Sequence, residues 1–189
     1  MLQVLNTPNS ILSQKSVPVK KIDKNLIEFV SGMKQALEKA KDPIGVGLAA
    51  PQVGENIRVF LAKPTLKSKI FVFINPHVVD KENLASQGDA LQDRNENKKK
   101  RIRKLEGCLS LKDIWGEVKR DSSITVEYTD EKGKKYTKTF NGFMATIIQH
   151  EIDHLEGILF PRRVLEQNGT LYKSEKDEKG GDIFEEIKI

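Results

Sequence analysis

The chain has few of the residues that build disulfides, metal clusters and membrane spans. Its 189 residues include one cysteine, three histidines and one tryptophan. A single cysteine excludes an intrachain disulfide and is typical of a reducing compartment. No apolar run approaches the roughly 18 residues that a membrane-spanning helix requires. The first residues, MLQVLNTPNSIL, show no basic segment followed by an apolar one. We therefore expect a cytoplasmic protein without a secretory signal.

Excess positive charge is confined to one segment. The net charge is +5, but six basic residues lie in KKKRIRK, residues 98–104, and the rest of the chain carries a net charge of −1. This run belongs to a polar stretch, 80–104, which we interpret as a long charged loop. A second charged stretch, 173–189, is predicted to be a surface tail. The domain as a whole is therefore not basic, and only this one segment is.

The remaining pattern predicts a single α+β domain over residues 1–189, because strands come in runs and do not alternate with helices. Residues 25–42 repeat apolar side chains at helical spacing, which predicts an N-terminal amphipathic helix capped by Asp23 or Asn25. Residues 142–157 predict a buried helix that ends at a glycine. The Gly- and Pro-rich stretch 42–56 is interpreted as a loop. Strands are predicted over residues 57–62, 69–79, 123–128 and 136–140.

The second helix carries a metal-binding pattern. His150 and His154 stand four residues apart, and positions i and i+4 of an α-helix lie about 40° apart around its axis. Both side chains can therefore reach one ion. Glu151 lies to one side, where it can reach a water molecule at the metal without binding the ion itself. Two unpaired buried imidazoles would be costly, which favours a metal over a chance pairing of histidines.

A third ligand does not follow from this spacing. No histidine lies downstream, and the downstream glutamates fall in sequence that we predict to be irregular: Glu166, Glu175 and Glu178. Upstream, Cys108 lies in a short apolar patch, and a thiolate is a good ligand for a divalent transition metal. A lone cysteine is also a common core residue. From the residues alone, both roles for the cysteine stay open.

Three motifs, in order, resemble those of the peptide deformylases. They are GVGLAAPQ (45–52), EGCLS (106–110) and QHEIDHLEGILF (149–160). A weaker similarity runs from ILSQKSVPV (11–19) to RRV (162–164). The resemblance implies antiparallel sheets packed around the metal-binding helix. It also implies an enzyme that removes the N-formyl group from the initiator methionine of new polypeptides and releases formate.

The resemblance also implies roles for individual residues. Three side chains become metal ligands, and the ion is usually Fe(II), with Ni, Co or Zn as alternatives: Cys108, His150 and His154. Glu151 becomes the general base, while the Gln52 side-chain amide and the Leu109 backbone N–H donate hydrogen bonds to the oxyanion. Outside this family motif, an amide such as that of Gln52 would more often face solvent on a loop.

Further residues match the family less specifically. Four residues are predicted to form apolar walls of a methionine pocket, with ordinary core packing as the alternative: Val46, Leu48, Phe143 and Ile147. Gly45 and Gly47 are predicted to let the loop backbone approach the substrate or adopt a positive φ, with simple turn formation as the alternative. Glu106 and Arg120 match positions that pair to hold the cysteine loop. Asp153 either supports the site or is exposed. Trp115 stands where some members carry a substrate-contacting arginine.

The implied partners are N-formylmethionyl peptides on nascent chains, with no membrane or DNA partner. Because nascent chains emerge from the ribosome, the basic run at 98–104 has two interpretations, a solvated loop and an RNA-contacting segment. Two other functions are compatible with parts of the pattern. One is an H-E-x-x-H metalloprotease, for which a downstream ligand is lacking. The other is a catalytically silent deformylase-like binding protein, which we would expect to have lost Glu151, Gln52 or a ligand.

Overall fold

We describe the protein from a computed structural model that covers residues 2–41, 43–82, 105–176 and 181–188. The basic run, most of the predicted charged loop and Glu178 lie outside these described residues. Of the described helices, none combines the length and apolar character needed to cross a membrane.

Helices form where the apolar spacing and capping residues predict them. Helix α1 begins after Asp23, whose carboxylate accepts a hydrogen bond from the Leu26 N–H at 3.1 Å, as an N-cap should. Helix α2 ends before Gly157, which has a positive φ of 71° and stops the helix because it lacks a Cβ. The helical segments are a 3₁₀ helix (Ser10–Ser13), α1 (Lys24–Lys39), a second 3₁₀ helix (Ala50–Val53), α2 (Gly142–Leu155) and α3 (Phe160–Glu166).

The strands form two antiparallel sheets. In the described residues they are β1 (Gly47–Ala49), β2 (Val59–Ala62), β3 (Phe71–Glu82), β4 (Glu106–Cys108), β5 (Leu111–Gly116), β6 (Ser123–Thr129), β7 (Lys135–Asn141), β8 (Leu171–Lys176) and β9 (Asp182–Glu186). The larger sheet has the order β1-β2-β3-β6-β7, and the smaller has the order β4-β5-β8-β9. Strands β1 and β4 are therefore edge strands. The α+β prediction is confirmed.

Each face of the larger sheet packs against a helix. Alternate residues of β2 belong to different clusters, because side chains on a strand alternate between faces. Leu61 packs with Leu37 of α1, whereas Phe60 packs with Ile148 of α2. A third, smaller cluster joins α3 to the inner face of the smaller sheet and includes Cys108. Helix α2 thus runs between the core of the larger sheet and the cysteine of the smaller one.

Two boundary predictions were wrong, and strands β8 and β9 were not predicted, in each case because tertiary pairing overrides local sequence. The Gly- and Pro-rich stretch 42–56 contains strand β1, which pairs Gly47 with Ala62. The predicted loop at 80–104 begins too early, because β3 continues to Glu82 opposite β6. The described residues of the predicted surface tail at 173–189 are mostly exposed, and they belong largely to strands β8 and β9. Consequently two downstream glutamates lie in regular structure: Glu166 ends α3 and Glu175 lies in β8.

Candidate metal centre

The structure brings three potential ligand atoms together from a helix and a strand. Cys108, His150 and His154 each offer one ligand atom, and these atoms all lie within 4.8 Å of one another. Sγ of Cys108 is 3.2 Å from Nε2 of His154. A tetrahedral ion with ordinary metal–sulfur and metal–nitrogen bonds separates its ligand atoms by roughly 3.3–3.6 Å. The donor set therefore fits one small transition-metal ion.

A carboxylate orients His150 for this role. Nδ1 of His150 lies 3.1 Å from Oε2 of Glu106. Arg120 donates two hydrogen bonds to the same carboxylate, from Nε to Oε1 at 2.9 Å and from a terminal nitrogen to Oε2 at 3.0 Å. Because an ionised carboxylate can only accept, Nδ1 of His150 is the donor. The lone pair of Nε2 is then left for an ion.

The Glu106 pair belongs to a longer chain of charges behind the histidines. Arg120 also donates to Asp153 at 2.6 Å. Asp153 is buried and accepts from Arg163 of α3 at 2.7 Å. The predicted pairing of Glu106 with Arg120 is therefore present, and Asp153 supports the site from within the protein. Sequence reasoning did not identify Arg163 as part of this chain of charges, because its contact with Asp153 depends on how α3 packs against α2.

Glu151 is buried beside the three ligand atoms. Its Oε2 is buried and has no hydrogen-bond partner among the described residues. A Cβ built on Gly47 would lie 2.1 Å from Oε1 of Glu151, so only glycine allows β1 to approach the carboxylate this closely. Burial raises the pKa of Glu151 to about 7, although His150 and His154 act to lower it. A carboxyl group with this pKa can exchange a proton near neutral pH.

The cysteine and the histidines affect each other's protonation. Burial acts to raise the pKa of the Cys108 thiol, but His154 and His150 outweigh it and lower that pKa well below its usual value. Burial likewise acts to lower the pKa of His150, but hydrogen bonds with Cys108 and Glu106 raise it well above its usual value. Without a metal, the two groups therefore favour a thiolate beside a protonated His150, and an ion that binds the thiolate takes the place of the proton on Nε2 of His150.

Gln52 faces the site and not the solvent. It is 1% exposed, and its Oε1 accepts a hydrogen bond from the Ala49 N–H at 2.8 Å. This bond fixes the amide so that Nε2 points toward the cysteine, donating to the hydroxyl of Ser110 at 3.1 Å and lying 3.5 Å from Sγ of Cys108. Ser110 was not identified from sequence, although it ends the EGCLS motif. Leu109 lies between Cys108 and Ser110, in the turn after β4.

The residues predicted to line a methionine pocket divide into two groups. Val46 and Ile147 belong to the cluster on the α2 side of the larger sheet. Gly47 lies against Glu151. Phe143 lies one helical turn before Ile147 and is 57% exposed. The other two face α1: Leu48 belongs to the α1 cluster, and a Cβ on Gly45 would lie 2.8 Å from Leu37. The structure therefore does not bring Gly45 and Leu48 together with the others, and both serve packing.

Comparison with known proteins agrees with this geometry. The fold and the site are those of an α+β protein with a candidate metal site, in which a helix carries H-E-x-x-H and an edge strand of the described residues carries the remaining candidate ligand. The sequence model of the family described as polypeptide deformylase matches residues 1–169. The chain belongs to this family and is an enzyme of the kind that removes N-formyl groups from newly made polypeptides.

Individual relatives resemble the chain over most of their length. The peptide deformylase of Chlorobaculum tepidum is 36% identical over 183 residues, which are 94% of this chain and 87% of that protein. The one from Chlorobium phaeobacteroides is 39% identical over 171 residues, covering 87% of this chain and 80% of that one. The crystal structure of the Thermotoga maritima enzyme has 29% identity and a TM-score of 0.70, covering 86% of this chain and 97% of that chain.

Proposed function

We propose that the protein hydrolyses the N-formyl group of formylmethionyl peptides, with one divalent ion held by Cys108, His150 and His154. The observation that carries this proposal is the convergence of three ligand atoms near Glu151, whose buried Oε2 has no hydrogen-bond partner in the part of the chain that the structure describes. That combination supplies both a place for an ion and a base next to it. When bound, the ion supplies positive charge that acidifies water and stabilises a developing oxyanion.

The residues of the chain carry out the proton transfers. Glu151 takes a proton from water as the water oxygen bonds to the formyl carbon. The carbon–nitrogen bond then breaks, Glu151 returns the proton to the leaving amine, and formate is released. A pKa of about 7 for Glu151 suits both directions of transfer. Nε2 of Gln52 and the N–H of Leu109 donate hydrogen bonds to the oxyanion, and the bond from Ala49 holds Gln52 in place for this.

The peptide is expected to bind as an extended strand. Strands β1 and β4 each pair on one side only among the described residues, and both lie at the site: Gly47 contacts Glu151, and β4 ends at Cys108. Free backbone N–H and C=O groups on such edges can accept an added strand. The methionine side chain would then point inward toward Val46 and Ile147, with Phe143 at the rim.

The direct test is formate release from formyl-Met-Ala-Ser by protein purified without oxygen, with metal analysis of the same sample. The proposal expects turnover that depends on about one ion per chain. An acetylated peptide with an internal Met-Ala bond serves as the control. Cleavage of that internal bond without formate release would instead identify a metalloprotease.

We propose Fe(II) as the native ion, supported by the thiolate that Cys108 offers in this buried site. A thiolate on iron is open to oxidation by oxygen or peroxide. The iron form is therefore expected to lose activity in air, and the nickel form to keep it. Equal half-lives in air for the two forms would contradict iron as the native ion.

We also propose that the enzyme works in the cytoplasm, where its nascent substrates are made. A second question is whether it binds the ribosome. Basic residues 98–104 could support an RNA contact that weakens steeply with salt, although a charge run of this kind is more often a solvated loop. A variant with Lys98, Lys99, Lys100 and Arg101 replaced by serine separates the two. Salt-sensitive co-sedimentation with ribosomes should be lost while tripeptide activity is kept. If wild type and variant co-sediment equally at low salt, the RNA contact is rejected and the solvated loop is the remaining interpretation.

A further inference from the structure

An aromatic side chain covers the strand that carries the cysteine. Gly107 of β4 pairs in register with Trp115 of β5. A Cβ built on Gly107 would lie 2.8–3.1 Å from three atoms of the six-membered ring of Trp115. The neighbouring Gly116 instead faces Val164 and Phe160, which form the inner cluster with Cys108. Trp115 and Gly107 therefore lie on the outer face of the smaller sheet, opposite that cluster.

The indole ring is held in one orientation. Its Nε1 donates a hydrogen bond to the hydroxyl of Ser174 on β8 at 2.9 Å. Phe184 of β9 meets it edge-on, with ring centroids 5.8 Å apart and an interplanar angle of 90°, and is 41% exposed. Because the N–H is anchored toward β8, the six-membered ring points the other way, over Gly107 and toward the edge of β4. Two strands of the smaller sheet thus fix the position of this ring.

The position of the ring has a consequence for a peptide bound along β4. Gly107 has no side chain, so Trp115 reaches past it on the outer face. Successive side chains of an extended peptide point to opposite faces. If the methionine side chain points to the inner side of β4, where Cys108 lies, the side chain of the next residue points to the outer side, where the indole lies.

We propose that Trp115, supported by Phe184, forms a subsite for the residue directly after formylmethionine and favours an aromatic side chain there. The proposal rests on the proposed deformylase activity and names a preference within it. Aromatic pairs in offset or edge-on contact stabilise one another beyond the area that they bury, by an amount equal to about a 2- to 10-fold change in an equilibrium or rate. Glycine at that peptide position would make no such contact.

The first experiment compares kcat/KM for formyl-Met-Phe-Ser and formyl-Met-Gly-Ser. The wild type is expected to favour the phenylalanine peptide by about 2- to 10-fold, and Trp115→Ala to bring the ratio close to one. Ile183→Ala is the matched control, because Ile183 precedes Phe184 on β9 and is 50% exposed with its side chain on the other face. This control should keep the wild-type ratio. A ratio that is the same in Trp115→Ala and wild type would overturn the proposal.

The second experiment does not depend on a folded Trp115 variant. The chain contains one tryptophan, so its fluorescence reports on Trp115 alone. Glu151→Gln protein, loaded with metal and expected not to turn over, is titrated with each formyl peptide. The phenylalanine peptide should change the emission maximum or intensity at saturation more than the glycine peptide does. Identical spectra at saturation with the two peptides would reject contact with the ring.

Failure of the subsite and failure of the enzyme activity give different results. If the wild type releases no formate from any formyl-Met peptide, the proposed function fails. If it releases formate at equal kcat/KM from both peptides, the activity stands and the Trp115 subsite is rejected.

Discussion

Helix α2 and strand β4 build the same site by different means. The helix supplies His150, Glu151 and His154 from five consecutive residues, so the spacing of these groups is set by helical geometry alone. The strand supplies Cys108, and its position depends on contacts with distant residues, including the Arg120–Glu106 pair and the Gln52–Ser110 hydrogen bond. One half of the site is therefore fixed locally, and the other half by tertiary structure.

This difference predicts how each half responds to mutation. A change on α2 should remove one chemical function and leave the geometry in place, because the helix backbone still aims the neighbouring side chains. A change around β4 should loosen the geometry, and so weaken metal binding and stability before it affects any proton transfer. The following substitutions separate these two kinds of effect.

The largest effect is expected from Glu151→Gln on the helix. The amide fills nearly the same space but cannot take a proton, so kcat/KM should fall by about 10²–10⁴-fold while the metal content stays near that of the wild type. Elemental analysis and formate assays on the same sample check both parts. Glu156→Gln is a suitable control, because Glu156 pairs with Arg58 and Lys15 outside the site. Near-normal turnover at full metal content would exclude Glu151 as the base.

Glu106→Gln tests the link between strand and helix. Burial acts to raise the pKa of Glu106, but His150 and Arg120 outweigh it and lower that pKa, so the side chain is ionised and orients His150. Its replacement should weaken metal affinity by about 10–100-fold, measured by competition with a chromophoric chelator. The exposed Glu127→Gln on β6 should leave the affinity unchanged. An unchanged affinity in Glu106→Gln would show that β4 does not position the histidine.

A smaller effect concerns the stability of the metal-free protein at different pH values. The pKa of Glu151 is about 7 in the folded protein, against an ordinary value of 4.5. Burial therefore opposes ionisation, and folding loses stability as the pH rises from about 4.5 to about 7. Glu151→Gln should melt several degrees above the wild type at pH 8, and this gap should close as the pH falls toward 4. A gap independent of pH would contradict the raised pKa.

The smallest effect is expected at Arg163, the last residue in the chain of charges that runs from Glu106 through Arg120 and Asp153. Arg163→Ala removes one partner of Asp153 but leaves Arg120 in place, so we expect a loss of about 1 kcal/mol, or about 2–4 °C in Tm. Arg162→Ala is the matched control, since its side chain is 67% exposed and pairs only with Glu166 in the described residues. Its Tm should change by less than that of Arg163→Ala. If the Tm changes equally in Arg163→Ala and Arg162→Ala, Arg163 does not stabilise the site.

The same division explains what could be predicted from sequence. Helix α1 with its Asp23 cap, helix α2 with its two histidines, and the β6–β7 hairpin follow from local periodicity, and the structure confirms them. Strand β1 was missed because the glycines and prolines of the surrounding stretch 42–56 suggest a loop, whereas pairing with β2 makes part of that stretch extended. Strands β8 and β9 were missed because their exposed residues are mostly charged. The roles proposed for the site residues stay predictions until the experiments above are done.

The order of the proposed ligands along the chain determines when the enzyme can first act during its own synthesis. Cys108 and His154 are 46 residues apart, and the helix that carries both proposed histidine ligands is made after β4. A growing chain that stops before His150 carries one of the three ligands, so it offers no complete site to an ion. With the proposed ligand set, a new copy of the enzyme is expected to become active only after α2 has left the ribosome and packed against β4.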